Sequence, residues 1–169
     1  MRDAQSAMHP GEATQQATVS RCINEVANNR RLGLHMTLTG GCQCGAVRYQ
    51  VSAEPLQVYV CHCRECQKQS ASAFGISVIV PAEAFILKQG NVRTWSRPTD
   101  SGNVLHCTFC AVCGTRIHHT SPGETSISIK GGSLDEPPDL TTAFHIWTAR
   151  KLPGVVIPNH ARQFPGEPD

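Results

Sequence analysis

The sequence has few aromatic residues and no long apolar run. Phe, Trp and Tyr together make up 5% of its 169 residues, so the burial of large rings that dominates many cores contributes little here. No stretch approaches the roughly 18 consecutive apolar residues of a membrane span, and the N-terminal region lacks the apolar segment of a secretory signal. We therefore expect a soluble, cytoplasmic protein without a membrane partner, whose modest core needs another source of stability.

The sequence also has no large excess of positive or negative charge. Fifteen basic and 13 acidic side chains give a formal net charge of +2, and they are scattered along the chain. A nucleic-acid-binding protein usually gathers its basic residues into a patch or stripe. The sequence therefore predicts no nucleic-acid partner.

The chain divides into a tail, one domain and a short end. Residues 1–36 are polar with a weak helical pattern, and they predict a disordered or weakly helical N-terminal tail. Patterned sequence starts after Met36, so an over-called gene start is the alternative explanation of the tail. We predict a single domain over residues 37–158 and a frayed C-terminal tail over 159–169.

The domain shows the alternation that is typical of β-strands. Val47, Tyr49 and Val51 share one face of a strand with period two. Other segments of strand-like composition are bounded by Gly and Pro: 56–60, 72–80, 92–95, 104–109, 125–130 and 142–147, with one helical turn and a short strand between 82 and 90. No long helical period is present. The pattern predicts an all-β, mainly antiparallel domain with a few short helical turns.

The composition is unusual in its high cysteine content, nine residues. In a reducing compartment such a density indicates metal binding or catalysis more often than disulfides. Eight of the nine fall in three groups: Cys42 and Cys44, then Cys61, Cys63 and Cys66, then Cys107, Cys110 and Cys113.

Two of these groups predict a closed zinc site. Two thiolates separated by one or two residues can reach one tetrahedral ion from a tight turn, and a following glycine lets the backbone curl around them. Gly45 follows Cys44 and Gly114 follows Cys113, so we combine Cys42, Cys44, Cys110 and Cys113 as a structural site. Cys107, and Cys22 in the tail, are then interpreted as a small buried or half-buried thiol and an exposed one.

The remaining group, Cys61, Cys63 and Cys66, offers three ligands within six residues. Three protein ligands and one vacant position are typical of a catalytic zinc site. His62 could complete the set, although in an extended segment its side chain points away from its neighbours. A second structural zinc closed by Cys107 or a histidine is a further alternative.

These residues resemble the glutathione-dependent formaldehyde-activating enzymes, grouped with the centromere protein V domain, over about residues 38–151. The motifs that carry the resemblance are Gly41-Cys42-x-Cys44-Gly45, Cys61-His62-Cys63-x-x-Cys66, Phe109-Cys110-x-x-Cys113-Gly114, Gly132-Ser133-Leu134-Asp135 and His145-Ile146-Trp147. The resemblance implies a β-tent-like, zinc-stapled domain with two zinc ions, one structural and one catalytic. It also implies a carbon–sulfur lyase that forms S-(hydroxymethyl)glutathione from glutathione and formaldehyde.

Glutathione carries carboxylates, so we expect cationic side chains near the three-cysteine group. Arg64 and Lys68 flank this group in the sequence and are the predicted glutathione-binding residues. Arg48 and Lys130 lie at strand positions that could also face it, and a solvated surface position is the alternative for all four.

Other polar residues are interpreted as structural. Asp135 lies in a Leu-Asp-Glu-Pro-Pro turn, where a backbone-capping role is common, and His145 is expected to be packed and hydrogen-bonded. His118 and His119 are predicted to be surface residues.

Two functions remain open at this stage. The first is the thiol-handling enzyme just described, with Cys61, Cys63 and Cys66 at its catalytic centre. The second is a noncatalytic zinc-binding interaction module of the same fold, in which both metal sites are closed. One scaffold can host several chemistries, so the two are separated by whether the three-cysteine site accepts a thiol.

Overall fold

The computed structural model describes residues 37–100 and 102–168. The predicted N-terminal tail, including Cys22, lies outside these residues. Ten strands are described: β1 (Leu38–Gly41), β2 (Arg48–Val51), β3 (Gln57–Cys61), β4 (Gly75–Pro81), β5 (Phe85–Gln89), β6 (Val92–Pro98), β7 (Val104–Cys110), β8 (Arg116–Thr120), β9 (Ser126–Lys130) and β10 (Phe144–Ile146). The helices are α1 (Arg64–Ser70) and three 3₁₀ turns, Ala82–Ala84, Gly131–Ser133 and Thr148–Arg150.

The strands form two sheets. A three-stranded antiparallel sheet has the order β1-β2-β5, and a seven-stranded sheet has the order β10-β3-β4-β9-β8-β7-β6. Every pairing is antiparallel except that of β10 with β3. The predicted all-β, mainly antiparallel fold is confirmed. No helix among the described residues has both the length and the apolar character needed to cross a membrane.

The core is built from alternating apolar residues of both sheets. Val47, Tyr49 and Val51 are 0%, 1% and 0% exposed, as their period-two spacing predicted. They belong to one buried cluster with the inward residues of β4, β8 and β9, namely Val78, Val80, Ile117, Ile127 and Ile129. Leu56, expected on a strand face, lies before β3 and is 66% exposed. The core side chains are mostly aliphatic, so metal bound by the cysteine clusters would be a further source of stability.

Strand β8 and helix α1 were not predicted. The segment Arg116–Thr120 carries two histidines and an arginine, which do not show a strand pattern, yet it pairs with both β7 and β9. His118 and His119 are consequently not surface residues: their Nδ1 atoms are buried, and His118 stacks edge-on against Phe85 at 4.9 Å between ring centroids.

The C-terminal segment is not frayed. Backbone hydrogen bonds join β10 to the chain around Gln163, from the His145 amide to the Arg162 carbonyl and from the Phe164 amide to the His145 carbonyl. The Trp147 amide donates to the Gly166 carbonyl. These bonds satisfy the outer edge of β10, which is the terminal strand of the seven-stranded sheet.

Buried His118 makes stability depend on pH. Its pKa falls from 6.5 to about 4, mainly because burial disfavours the imidazolium and then because of Arg116 and Lys130. The unfolded chain therefore takes up this proton at higher pH than the folded chain, so stability decreases as the pH falls through this window. At about 1.4 kcal/mol per pKa unit, we expect a loss of about 2 kcal/mol between roughly pH 7 and pH 5.

Urea unfolding of wild type and of His118→Phe at the two pH values measures this contribution. The variant should show a flatter pH dependence, whereas His160→Phe, at an exposed position, should keep the wild-type slope. Equal slopes for wild type and His118→Phe would contradict the assignment.

Candidate functional site

Two turns bring four cysteine sulfurs together. Cys42 and Cys44 lie between β1 and β2, while Cys110 ends β7 and Cys113 lies in the turn before β8. The amide of Gly45 donates to the Cys42 carbonyl and that of Gly114 to the Cys110 carbonyl, both at 3.0 Å. Both glycines have φ of +76°, a left-handed conformation that other residues rarely adopt. The glycine signal in the sequence therefore marked two matching turns.

The four sulfurs fit a tetrahedral ion. All lie within 4.8 Å of one another, with 3.4 Å between Cys42 and Cys44 and 3.9 Å between Cys44 and Cys110. Zn–S bonds of about 2.3 Å place tetrahedral sulfurs about 3.8 Å apart. Backbone amides of Val47 and Val112 point at the Cys42 and Cys110 sulfurs. This set, the four-sulfur cluster, can hold zinc and would connect the three-stranded sheet to the end of β7.

The second set of sulfurs, the three-sulfur cluster, is formed by Cys61, Cys63 and Cys66, also within 4.8 Å of one another. Cys61 ends β3, Cys63 is the N-cap of α1, and Cys66 lies in its first turn. The Cys66 amide donates to the Cys63 sulfur at 3.4 Å, as at an ordinary helix N-cap. Hydrogen bonds with Cys61 and Cys66 lower the pKa of Cys63.

No fourth ligand joins this cluster among residues 37–100 and 102–168. His62 is fully buried, and its Nε2 is 2.9 Å from Nδ1 of His145, so it is directed to β10. His145 is thus packed and hydrogen-bonded, as expected. Cys107 is also fully buried and belongs to neither cluster. The alternatives that closed the cluster with His62 or Cys107 find no support in this arrangement.

Gln67 holds the cluster's backbone in place. Its side-chain amide donates to the His62 carbonyl at 2.7 Å and to the Arg150 carbonyl at 3.0 Å. The side chain is buried, so both bonds form in a low-dielectric environment where their loss is costly. Gln67 therefore connects α1 to the chain after β10. Sequence reasoning missed this role because the Arg150 carbonyl lies 83 positions away along the chain.

A cleft of about 450 Å³ lies beside the three-sulfur cluster. Cys66 contributes to its wall, as do Cys113 of the four-sulfur cluster, Arg116 and Lys130. Burial lowers the pKa of Lys130, and the nearby Cys66 and Cys61 oppose that change. The other lining residues are the polar or small Gln43, Gln69, Ser70, Ser72, Gly75, Gly114, Thr115, Gly132 and Ser133 and the apolar Phe74 and Ile76.

The cations predicted from sequence lie elsewhere, apart from Lys130. Lys68 is 74% exposed and pairs with Glu65, and Arg64 donates to the Gln67 side chain. Arg48 forms an ion pair with Asp135, and the Thr39 hydroxyl also donates to that carboxylate, so the carboxylate of Asp135 binds side chains where a backbone cap was expected. Arg64, Lys68 and Arg48 are not among the residues that line the cleft.

The fold and the two sulfur clusters define a β-rich domain with one closed and one open set of metal-binding cysteines. Comparison with known families gives a match to the glutathione-dependent formaldehyde-activating enzyme over residues 37–150, which is more than half of the chain. The chain belongs to this family. A crystal structure of a Rhodobacter sphaeroides protein has a similar fold, with a TM-score of 0.50 and 22% identity, covering 63% of this chain and 98% of that one.

Proposed function

We propose that the protein is a zinc-dependent carbon–sulfur lyase that adds the thiolate of glutathione to formaldehyde or a similar small carbonyl compound. The observation that carries the proposal is the three-sulfur cluster, which lacks a fourth His, Cys, Asp or Glu ligand among the described residues and meets a cleft through Cys66. Membership of a family described by glutathione and formaldehyde supports the choice of substrates.

Cys61, Cys63 and Cys66 would hold the catalytic zinc, and the four-sulfur cluster would hold a structural one. When bound at three thiolates, zinc offers a position for a soft donor and favours the deprotonated form of a substrate thiol. The chain's own contribution is to fix the three sulfurs through the N-cap at Cys63 and the Gln67 hydrogen bonds. Such outer contacts orient metal ligands.

The cleft brings the two substrates together. In the reaction, the thiolate sulfur forms a bond to the carbonyl carbon, the C=O π electrons move to oxygen, and the oxygen takes a proton. No oxidant or reductant is needed. A half-enclosed cleft beside Cys66 can hold a small carbonyl close to the thiol, which replaces a bimolecular encounter by a reaction within one complex.

Cobalt substitution tests the proposal directly. Glutathione added to the cobalt protein should change its sulfur-to-cobalt and d–d absorption, and NMR should detect S-(hydroxymethyl)glutathione forming faster than without protein when formaldehyde is added. A spectrum that does not respond to glutathione, with no rate increase, would instead indicate two closed sites and the noncatalytic interaction module.

A further inference from the structure

The cleft beside the three-sulfur cluster carries positive charge without a balancing carboxylate. Lys130 and Arg116 are among its lining residues, and no Asp or Glu is. They come from neighbouring strands of the seven-stranded sheet, β9 and β8. Sequence spacing does not reveal this pair, because 13 positions and a turn separate the two residues.

The side-chain amine of Lys130 has no hydrogen bond or ion pair among the described residues, although its backbone carbonyl accepts from the Ser133 hydroxyl at 2.7 Å. The Lys130 side chain is half-buried, with the sulfurs of Cys66 and Cys61 as the nearby opposing charges. A half-buried ammonium without a direct partner loses hydration that no hydrogen bond replaces, and such a residue at a cleft wall is typical of a functional site.

The Arg116 side chain also lacks hydrogen-bond partners within the described part of the chain. Its Nε and Nη2 atoms are buried and have no hydrogen-bond partner among the described residues. Nε of Arg97 and Nδ1 of His119 are also buried without hydrogen-bond partners among the described residues. Burial and then the charges of Lys130, Arg116 and Arg97 lower the pKa of His119. This part of the sheet therefore has several unused donors and excess positive charge.

We propose that Lys130 and Arg116 bind a carboxylate of the thiol substrate within the cleft and so select acidic thiols such as glutathione over neutral ones. The inference rests on the proposed function and names its specificity-determining residues. Because Cys66, Lys130 and Arg116 line one cleft, a single molecule can present its sulfur to the cluster and its carboxylate to the cations. A volume of about 450 Å³ lies in the range of small-molecule sites.

The competing explanation is that Lys130 and Arg116 only balance the negative thiolates. It predicts altered zinc affinity in a Lys130 variant but no change in the recognition of carboxylates. A ligand without a free thiol distinguishes the two explanations, because it cannot bind the metal as a thiolate and its affinity therefore reports on carboxylate recognition.

The test measures binding of S-methylglutathione and of its dimethyl ester to the zinc-loaded protein by calorimetry. Wild type should prefer the acid by at least about tenfold, the size of one charge-assisted contact. Lys130→Met and Arg116→Met should each reduce this preference to about threefold or less. Lys88→Met and Arg93→Met remove matched charges from exposed positions outside the cleft and should keep the wild-type preference.

Zinc content and melting temperature are measured for each variant. Lys130→Met should melt at or above the wild-type temperature because it removes a half-buried charge whose amine has no direct partner among the described residues. An unchanged acid preference in folded Lys130→Met and Arg116→Met would overturn the inference, whether or not zinc affinity changes. Adduct formation is measured separately. If the variants keep the acid preference but the wild-type protein forms the adduct, only the carboxylate-binding inference fails. If the wild-type protein prefers the acid but forms no adduct, only the lyase proposal fails.

Discussion

Cys63→Ser should lower the zinc content from about two ions per chain to about one and abolish adduct formation. Cys63 both belongs to the three-sulfur cluster and caps α1. Serine is itself a good N-cap, so the substitution removes the thiolate ligand while keeping the helix that carries Cys66. Changes to residues that merely support ligands cost about 10- to 100-fold in affinity or activity. Loss of the ligand itself should exceed that range.

Metal analysis and the rate of S-(hydroxymethyl)glutathione formation measure the effect. Cys107→Ala is the matched control, since Cys107 is a buried thiol that belongs to neither cluster. It should retain about two zinc ions and most of the activity. A Cys63→Ser protein that has lost one zinc but reacts at the wild-type rate would show that the three-sulfur cluster is not catalytic.

Cys110→Ser should abolish cooperative folding at room temperature. Cys110 is 1% exposed at the end of β7, and its sulfur lies 3.9 Å from that of Cys44 in the turn between β1 and β2. Structural zinc contributes about 10–16 kcal/mol in small zinc domains. That contribution equals or exceeds the usual 5–15 kcal/mol of total stability, and this aliphatic core has few aromatic residues to compensate.

Thermal and urea unfolding followed by circular dichroism check this result. Cys63→Ser provides the comparison, because it also loses a zinc ligand but at the open cluster, and it should keep a cooperative transition. Similar melting temperatures for Cys110→Ser and Cys63→Ser would show that the four-sulfur cluster is not the main structural site.

The sequence predicted the parts of the fold that depend on local patterns. Period-two alternation located Val47, Tyr49 and Val51 on one buried face, and Gly45 and Gly114 marked the turns of the four-sulfur cluster. Both signals arise within a few residues, where backbone geometry alone restricts the chain.

The sequence did not predict α1 and β8, two elements that depend on tertiary contacts. The seven-residue helix α1 is too short to show an amphipathic period, and it is capped by Cys63, a residue otherwise interpreted only as a ligand. β8 gains its order from pairing on both sides, which overrides the polar character of His118 and His119.

In the candidate site, too, the features set by local sequence were predicted and those set by the tertiary fold were not. Cysteine spacing identified both clusters, because ligands of one turn are close in sequence. Arg64 and Lys68 were chosen for the same closeness, but α1 directs Lys68 to solvent, where it pairs with Glu65. Arg116 was missed, and Lys130 was only one of several alternatives, since the sheet and not the motif brings them to the cleft.

Cys66 and Cys113 line the same cleft, although they belong to different sulfur clusters. Directed evolution of Gly114 or Thr115 for a bulkier carbonyl would therefore also alter the turn on which folding depends. Gains in substrate range at these two positions should come with changes in heat tolerance, whereas changes at Gln69 in α1 and at Ser72 just after it leave that turn untouched.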